Sequence, residues 1–425
     1  MPIAVYVLGL AIFAQGTSEL MLAGLLPEIA RDLEVSIPDT GLLISAFAIG
    51  MLVGAPLLAA LTMRWSRRTA LLSFLAVFVA THVIGALTTS YPVLFATRVI
   101  GAFVYAGFWA VAAATAIALV PVSARARAMG ILAGGLTVAT VLGLPAGTVL
   151  GQRLGWQAAF WAVAAICTLA AIGVAAVIPR GTPARTSAGG PGDAEDAEGA
   201  ADAATPSFAV QVRAVVRPHL WLAYGTTALA IAALMVVFGY LAPLLTETAG
   251  LPADWVPVVL ALYGLGTVAG ITIGARRADS RPFGVLAVGL LGLISASVTL
   301  ALTAQWLPAA VALSVALGMM GFGINPVLNA RVFALAGEAP TLAAGVNVSS
   351  FNLGITVGPW LGGVALGAGA GYATLGWIGA GLGALALLLG WLGFRTRVGT
   401  VHRTDGEADR PAPPRPSSMA GRADG

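Results

Sequence analysis

Residues 41–68 read GLLISAFAIGMLVGAPLLAALTMRWSRR. From 41 to 62 nothing is charged, and Arg64, Arg67 and Arg68 follow almost at once. A bilayer core of about 30 Å is crossed by about 20 apolar residues in a helix. The stretch therefore predicts a membrane helix closed off by a basic loop. Working outward, eleven more apolar runs appear, near 3–26, 69–89, 92–120, 128–150, 156–178, 219–241, 255–275, 283–303, 307–335, 342–366 and 372–394. The 425 residues are 58% hydrophobic and 9% charged, where a soluble domain carries about 25% charge. Too little polar surface is available to face water, so lipid is the expected solvent. The run at 3–26 is longer than a signal-peptide core and has no basic residues before it, so it is read as a span.

The arginines orient the chain. Arg125 and Arg127, then Arg276, Arg277 and Arg281, fall in the same set of alternate loops as Arg64, Arg67 and Arg68. Arg31 and Arg153 lie on the other side, and Arg98 lies within a span. Positive residues stay in the cytoplasm, which predicts a cell-membrane protein with both termini cytoplasmic. Residues 180–217 are rich in Gly, Ala, Pro and acid and read as a disordered cytoplasmic linker. They separate a six-helix half at 1–179 from a second at 218–395, and a polar, Pro-rich tail at 396–425 reads as disordered too. The expected fold class is an all-α membrane protein of twelve helices in two pseudo-symmetric halves.

Those halves echo each other. Gly50 and Gly54 return 216 residues later as Gly266 and Gly270, and Pro145 is matched by Pro359. A duplication of this kind belongs to transporters that rock two halves about a midplane site. A pore or a membrane enzyme does not require it.

The loop after the second span resembles the signature of the major facilitator superfamily, a Gly, an Asp, then Arg-x-Gly-Arg-Arg. Arg64, Arg67 and Arg68 match it. Ala59, Met63 and Ser66 depart from it, and Asp279, beside the second arginine cluster, is the candidate acid. In the fifth span Gly143, Pro145 and Gly147, continuing to Gly151, resemble the antiporter signature of drug:proton exporters. Gly358 and Pro359 form a partner string in the eleventh. The opening YVLGLAIFAQGTSELMLAGLLPEIARDLEVS, with residues 42–59 and MRWSRR, resembles the chloramphenicol exporters of actinomycetes within the 12-helix drug:proton antiporter family. That resemblance implies export of chloramphenicol or a related phenicol in exchange for protons, and hence antibiotic resistance.

Charges inside spans are costly and mark function. Glu19 lies eight residues before Pro27, about 12 Å in from the helix end at 1.5 Å per residue. Arg98 lies six residues after Pro92, about 9 Å in on the same count. A carboxylate at such a depth can switch between protonated and charged forms when a guanidinium or water is near, so Glu19 and Arg98 are the expected proton-coupling pair. The position matching Glu19 in the second half is Met235. Candidate substrate-binding residues are Gln15, one turn before Glu19, then Tyr105 and Trp109 on the face of Arg98, and the stripe Phe322, Asn325 and Asn329. His82 is read as a structural histidine.

The expected partners are a small-molecule drug, protons and the bilayer, with the chain a monomer. No nucleic-acid partner is implied, because the arginines sit at span ends. No enzyme is expected, because no His, Asp or Ser constellation stands out. No cofactor other than the proton as coupling ion is expected, and no metal. A lone Cys167 permits no intramolecular disulfide. The alternative reading is an exporter of many drugs, sugars, nucleosides or a self-made metabolite on the same fold.

Overall fold

A computed structural model describes residues 1–61, 65–179, 218–278, 280–336 and 340–408. Arg64, Asp279, the linker 180–217 and the tail beyond 408 lie outside the described residues. The first half contains α1 (Ile3–Met21), α2 (Leu26–Asp32), α3 (Ile37–Leu61), α4 (Arg67–Leu87), α5 (Tyr91–Ala118), α6 (Arg125–Val138), α7 (Leu144–Leu154) and α8 (Trp156–Val177). The second contains α9 (Pro218–Phe238), α10 (Val256–Ala278), α11 (Pro282–Thr303), α12 (Leu307–Gly323), α13 (Asn325–Ala336), α14 (Pro340–Gly367) and α15 (Ala373–Ala408). The last helix thus continues past the boundary expected at 395.

Eleven segments among the described residues are long and apolar enough to cross a bilayer. The remaining long helix, α14, has 28 residues, about 42 Å of helix. Asn347, Ser349, Ser350 and Asn352 dilute its hydropathy. It packs against α3 and α9, so its polar face meets protein where a lipid-facing helix would meet hydrocarbon.

The sequence repeat is a packing repeat. A Cβ on Gly50 would strike the carbonyl of Val99, and one on Gly54 that of Phe103, which seats α3 on α5. In the second half Gly266 meets the Val315 carbonyl and Gly270 the Met319 carbonyl, seating α10 on α12. All four partners keep the 216-residue offset. Bare glycine lets two backbones approach without side chains between them.

Prolines set the breaks. The first span, expected as one helix over 3–26, stops at Met21, turns through Leu22–Gly24 and restarts at Leu26. The ninth helix stops likewise at Phe238, and a single turn at Leu241–Pro243 follows. Pro27 and Pro243 are 216 apart. Each lacks the N–H that would bond four residues back, so the turn before it is free to unwind. Before Pro145 the helix widens to a π turn at Ala139–Gly143, in which Leu144 N–H donates to the Ala139 carbonyl. Pro326 accounts in the same way for the break between α12 and α13.

The halves close on each other at the end away from the arginine clusters. There α3 lies against α14, and the Ser45 hydroxyl donates to the Thr356 carbonyl at 2.8 Å. Tyr240, in the break after α9, is fully buried and donates to the Pro359 carbonyl at 2.8 Å. Its ring covers Gly41 of α3 and Gly362 of α14. Nearby, Gln152 of α7 donates to the Ala253 carbonyl at 2.9 Å. This seam joins the halves through glycine surfaces and a few hydrogen bonds.

Candidate functional site

The α1–α5 contact buries a charge. Arg98 is 2% exposed, and a guanidinium there is costly unless it is hydrogen-bonded. Its Nη1 donates to the Ser18 hydroxyl at 2.7 Å and its Nη2 to the Ser18 carbonyl at 2.9 Å. That carbonyl lies in the last turns of α1, before the helix breaks. The guanidinium carbon also sits 4.3 Å from the centre of the Phe47 ring, a cation–π contact from α3. The three helices therefore meet on one cation.

His82 completes the set. Its Nε2 lies 2.7 Å from the Ser18 hydroxyl oxygen and its Nδ1 2.8 Å from the Phe78 carbonyl. A carbonyl only accepts, so the proton is on Nδ1, and a neutral ring then accepts at Nε2. Ser18 therefore takes a hydrogen bond from Arg98 and gives one to His82. In this relay the Arg98 Nη1, the Ser18 hydroxyl and the His82 Nδ1 each find one acceptor. His82 also stacks on Phe78 at 4.3 Å. His82, read from the sequence as structural, here orients the hydroxyl that holds Arg98.

Glu19 is the residue after Ser18. It is half-buried and lies within electrostatic reach of Arg98. Each terminal nitrogen of the guanidinium donates one hydrogen bond to Ser18, and Glu19 acts on it through space. Two buried polar groups at this contact have no partner among the described residues, the amide of Gln15 and the Nε of Arg98. Gln15 is 1% exposed and one turn from Glu19. Tyr105 is buried, with its hydroxyl 3.7 Å from where a Cβ on Gly16 would stand. Gln15, Glu19, Arg98 and Tyr105 are thus brought together, with Trp109 one turn beyond on α5.

The second-half candidates form a separate group. Asn329 accepts from the Asn347 side chain at 2.9 Å and donates to the Asn325 carbonyl at 3.0 Å. Asn347 in turn accepts from the Thr227 hydroxyl at 3.2 Å. Thr227 and Asn347 were not expected from the sequence. They tie α9, α13 and α14 together in one amide relay. Phe322 lies in the last turn of α12 and is half-buried. These residues belong to the other half from Glu19, so the two groups can share a ligand only across the interface between halves.

Of the loop residues, Arg67 and Arg68 begin α4. Ser66, where the family signature has Gly, caps that helix: its hydroxyl accepts from Thr69 N–H at 3.1 Å. Gly143 and Gly147 face α1, where a Cβ would meet Thr17 and Met21. Gly358 faces the α9 backbone at Ala232 and Val236, and Pro359 supplies the carbonyl that Tyr240 grips. Missed by sequence reading were Ser18, Phe47 and Tyr240. Ser18 next to the intramembrane Glu19 was the available signal for the first.

The seam encloses a pocket of 160 Å³ lined by Glu28 and Arg31 of α2, Gln152 of α7, and Thr246 and Ala253 from the second half. Burial raises the Glu28 carboxyl above the usual carboxylate range, against its own backbone hydrogen bond and the Arg31 charge, which lower it. Its Oε2 has no partner among the described residues.

The family model described as Major Facilitator Superfamily matches residues 8–347 and 259–423. The chain is 44% identical over 367 residues to a chloramphenicol resistance protein of Streptomyces lividans, across 86% of this chain and 90% of that one. It is 33% identical over 366 residues to the inner membrane transport protein YdhP of Escherichia coli strain K12, across 86% and 89%. Among solved structures, a bacterial homologue of the human lysosomal transporter Spinster, inward-facing and unoccupied, superposes with a TM-score of 0.72 at 19% identity, covering 93% of this chain and 96% of that one.

Proposed function

The chain belongs to the Major Facilitator Superfamily, and from that premise we propose that it exports chloramphenicol or a related phenicol from the cytoplasm in exchange for protons. The observation that carries this reading is Glu19, a half-buried carboxylate one residue from the serine that clamps the buried Arg98. The Streptomyces lividans relative supports the substrate class. Protonation of Glu19 removes its attraction for Arg98; loss of that proton restores it. Each form suits a different arrangement of α1 against α5. The unpartnered Gln15 amide, with Tyr105 and Trp109, offers hydrogen bonds and aromatic faces to a small ligand of mixed polarity. Asn325, Asn329 and Phe322 supply the opposing wall. The arginine clusters orient both termini to the cytoplasm.

One proton per cycle is enough. A charge crossing 100 mV releases about 2.3 kcal/mol, which sustains about a 50-fold gradient of a neutral drug. The test is expression in a susceptible host with labelled chloramphenicol. Accumulation should fall, and an uncoupler should restore it. In Glu19→Gln uphill efflux should vanish while passive exchange persists. Accumulation unchanged by expression would remove the drug assignment, and proton-driven efflux retained by Glu19→Gln would remove the carboxylate from the mechanism.

A second reading, export of a sugar, nucleoside or other polar metabolite, is favoured by one observation, the Thr227–Asn347–Asn329 relay. Assaying a labelled sugar and a labelled nucleoside beside labelled chloramphenicol in the same cells distinguishes the two. Efflux of the polar solute without efflux of chloramphenicol would favour the second.

A further inference from the structure

The bundle carries a second concave site, outside the α1–α5 contact. It is a groove of 400 Å³ between α10 and α11, floored by α12, within the size range of ligand sites. Glycine packing makes it. Gly270 and Gly274 bring α10 onto the α12 backbone, while Gly289 and Gly292 bring α11 onto Ile324 and Met320. Both helices lean on the same partner, and the space between them is left to Met319 and Met320. The walls are apolar and open outward: Ile273 is 46% and Val288 66% exposed. In a helix bundle immersed in a bilayer, such residues face hydrocarbon.

The mouth is basic. Arg277 and Arg281 both line the groove at its end. The Arg281 N–H bonds the Arg277 carbonyl at 3.0 Å, and both residues reach the groove. Arg281 is also the N-cap of α11, a helix of 22 residues, whose positive end adds to the field. Both arginines are exposed, so a headgroup reaches them from the membrane surface.

We propose that this groove binds one anionic phospholipid, its phosphate on Arg277 and Arg281 and an acyl chain along Ile273, Val288 and Met320. The charge complementarity selects an anion, since guanidinium grips phosphate in a two-pronged fashion. The apolar walls select an anion that carries a chain; a free phosphate would leave them uncovered. Basic clefts between membrane helices on the cytoplasmic side take such headgroups. The bound lipid would bridge α10, which also packs on α7 across the seam, to the outer helix α11.

The test uses the full chain purified in detergent and titrated with phosphatidylglycerol or phosphatidylcholine, with bound lipid read by native mass spectrometry. Wild type should prefer phosphatidylglycerol. Arg277→Ala with Arg281→Ala should weaken phosphatidylglycerol roughly 30-fold, the combined gain of two surface arginines, to the level of phosphatidylcholine. Val288→Trp keeps both arginines and fills the groove, and should weaken both lipids. Equal binding of the two lipids by wild type would overturn the proposal. So would an unchanged affinity in the double variant, full phosphatidylglycerol binding by Val288→Trp, or displacement of the lipid by free glycerol phosphate at equal concentration. Should a variant not elute as a single species, the wild-type preference alone decides.

Discussion

The seam that closes one end of the bundle should be easy to loosen, and Tyr240 is the place to do it. Its hydroxyl donates to Pro359 O at 2.8 Å, and its ring lies between Gly41 and Gly362. Tyr240→Phe keeps the ring and removes one neutral hydrogen bond, worth about 1 kcal/mol. The closed-to-open ratio should therefore fall about 5-fold. Gly41→Ala acts on the other face of the ring: a Cβ there overlaps Tyr240, and overpacking costs about 1–3 kcal/mol. It should open the seam further than the loss of the hydroxyl. The two residues touch, so their effects should not add, and the ring lost in Tyr240→Ala should rescue Gly41→Ala. Spin labels at Glu34→Cys and Asp254→Cys, in a Cys167→Ser background, report the separation of the halves at that end. The expected result is a longer-distance population that grows from wild type to Tyr240→Phe to Gly41→Ala. An unchanged distance distribution in Gly41→Ala would refute the idea that this contact holds the halves together.

Three further outcomes are expected. The closed seam raises the Glu28 carboxyl through burial, so protonated Glu28 favours closure; closure is fully supported below the ordinary carboxylate range and weakens as pH rises through the raised value. The same spin labels should show opening with rising pH, and Glu28→Gln should make the distances independent of pH across that window. Ser18→Ala strips Arg98 of one acceptor and His82 of its donor; hydrogen bonds to a buried charge are worth about 1.5–3 kcal/mol, so the thermal midpoint in detergent should fall, and an unaltered midpoint would show that Arg98 is held by other means. Gly54→Val and Gly270→Val occupy matched positions against backbone carbonyls; each should cost about 1–3 kcal/mol by overpacking, with similar drops in folded yield, and a tolerant second-half variant would disprove the packing repeat.

Much of this molecule was legible from the chain. Membrane helices announce themselves by length and apolarity, because lipid cannot satisfy a bare backbone. The repeat was visible too, since glycines at Gly50, Gly54, Gly266 and Gly270 have no other reason to keep one offset. Glu19 and Arg98 stood out as charges in apolar runs. The broken first helices were half visible: Pro27 and Pro243 share the offset, but Pro27 reads equally as the end of a span.

What tertiary structure alone decided is which groups meet. Helix spacing in sequence says nothing about lateral order in the bundle, so the clamp on Arg98 by Ser18, Phe47 and His82 could not be read from residues 16 to 80 positions apart. The same holds for Tyr240 against Gly41 and for the groove between α10 and α11. Periodicity specifies a helix and its lipid-facing stripe. Only packing specifies the neighbour, because close contact through glycine and a shared buried polar group depend on the positions of both helices at once. Glu19 was costly by sequence; its place beside a guanidinium already committed to Ser18 was set by the fold.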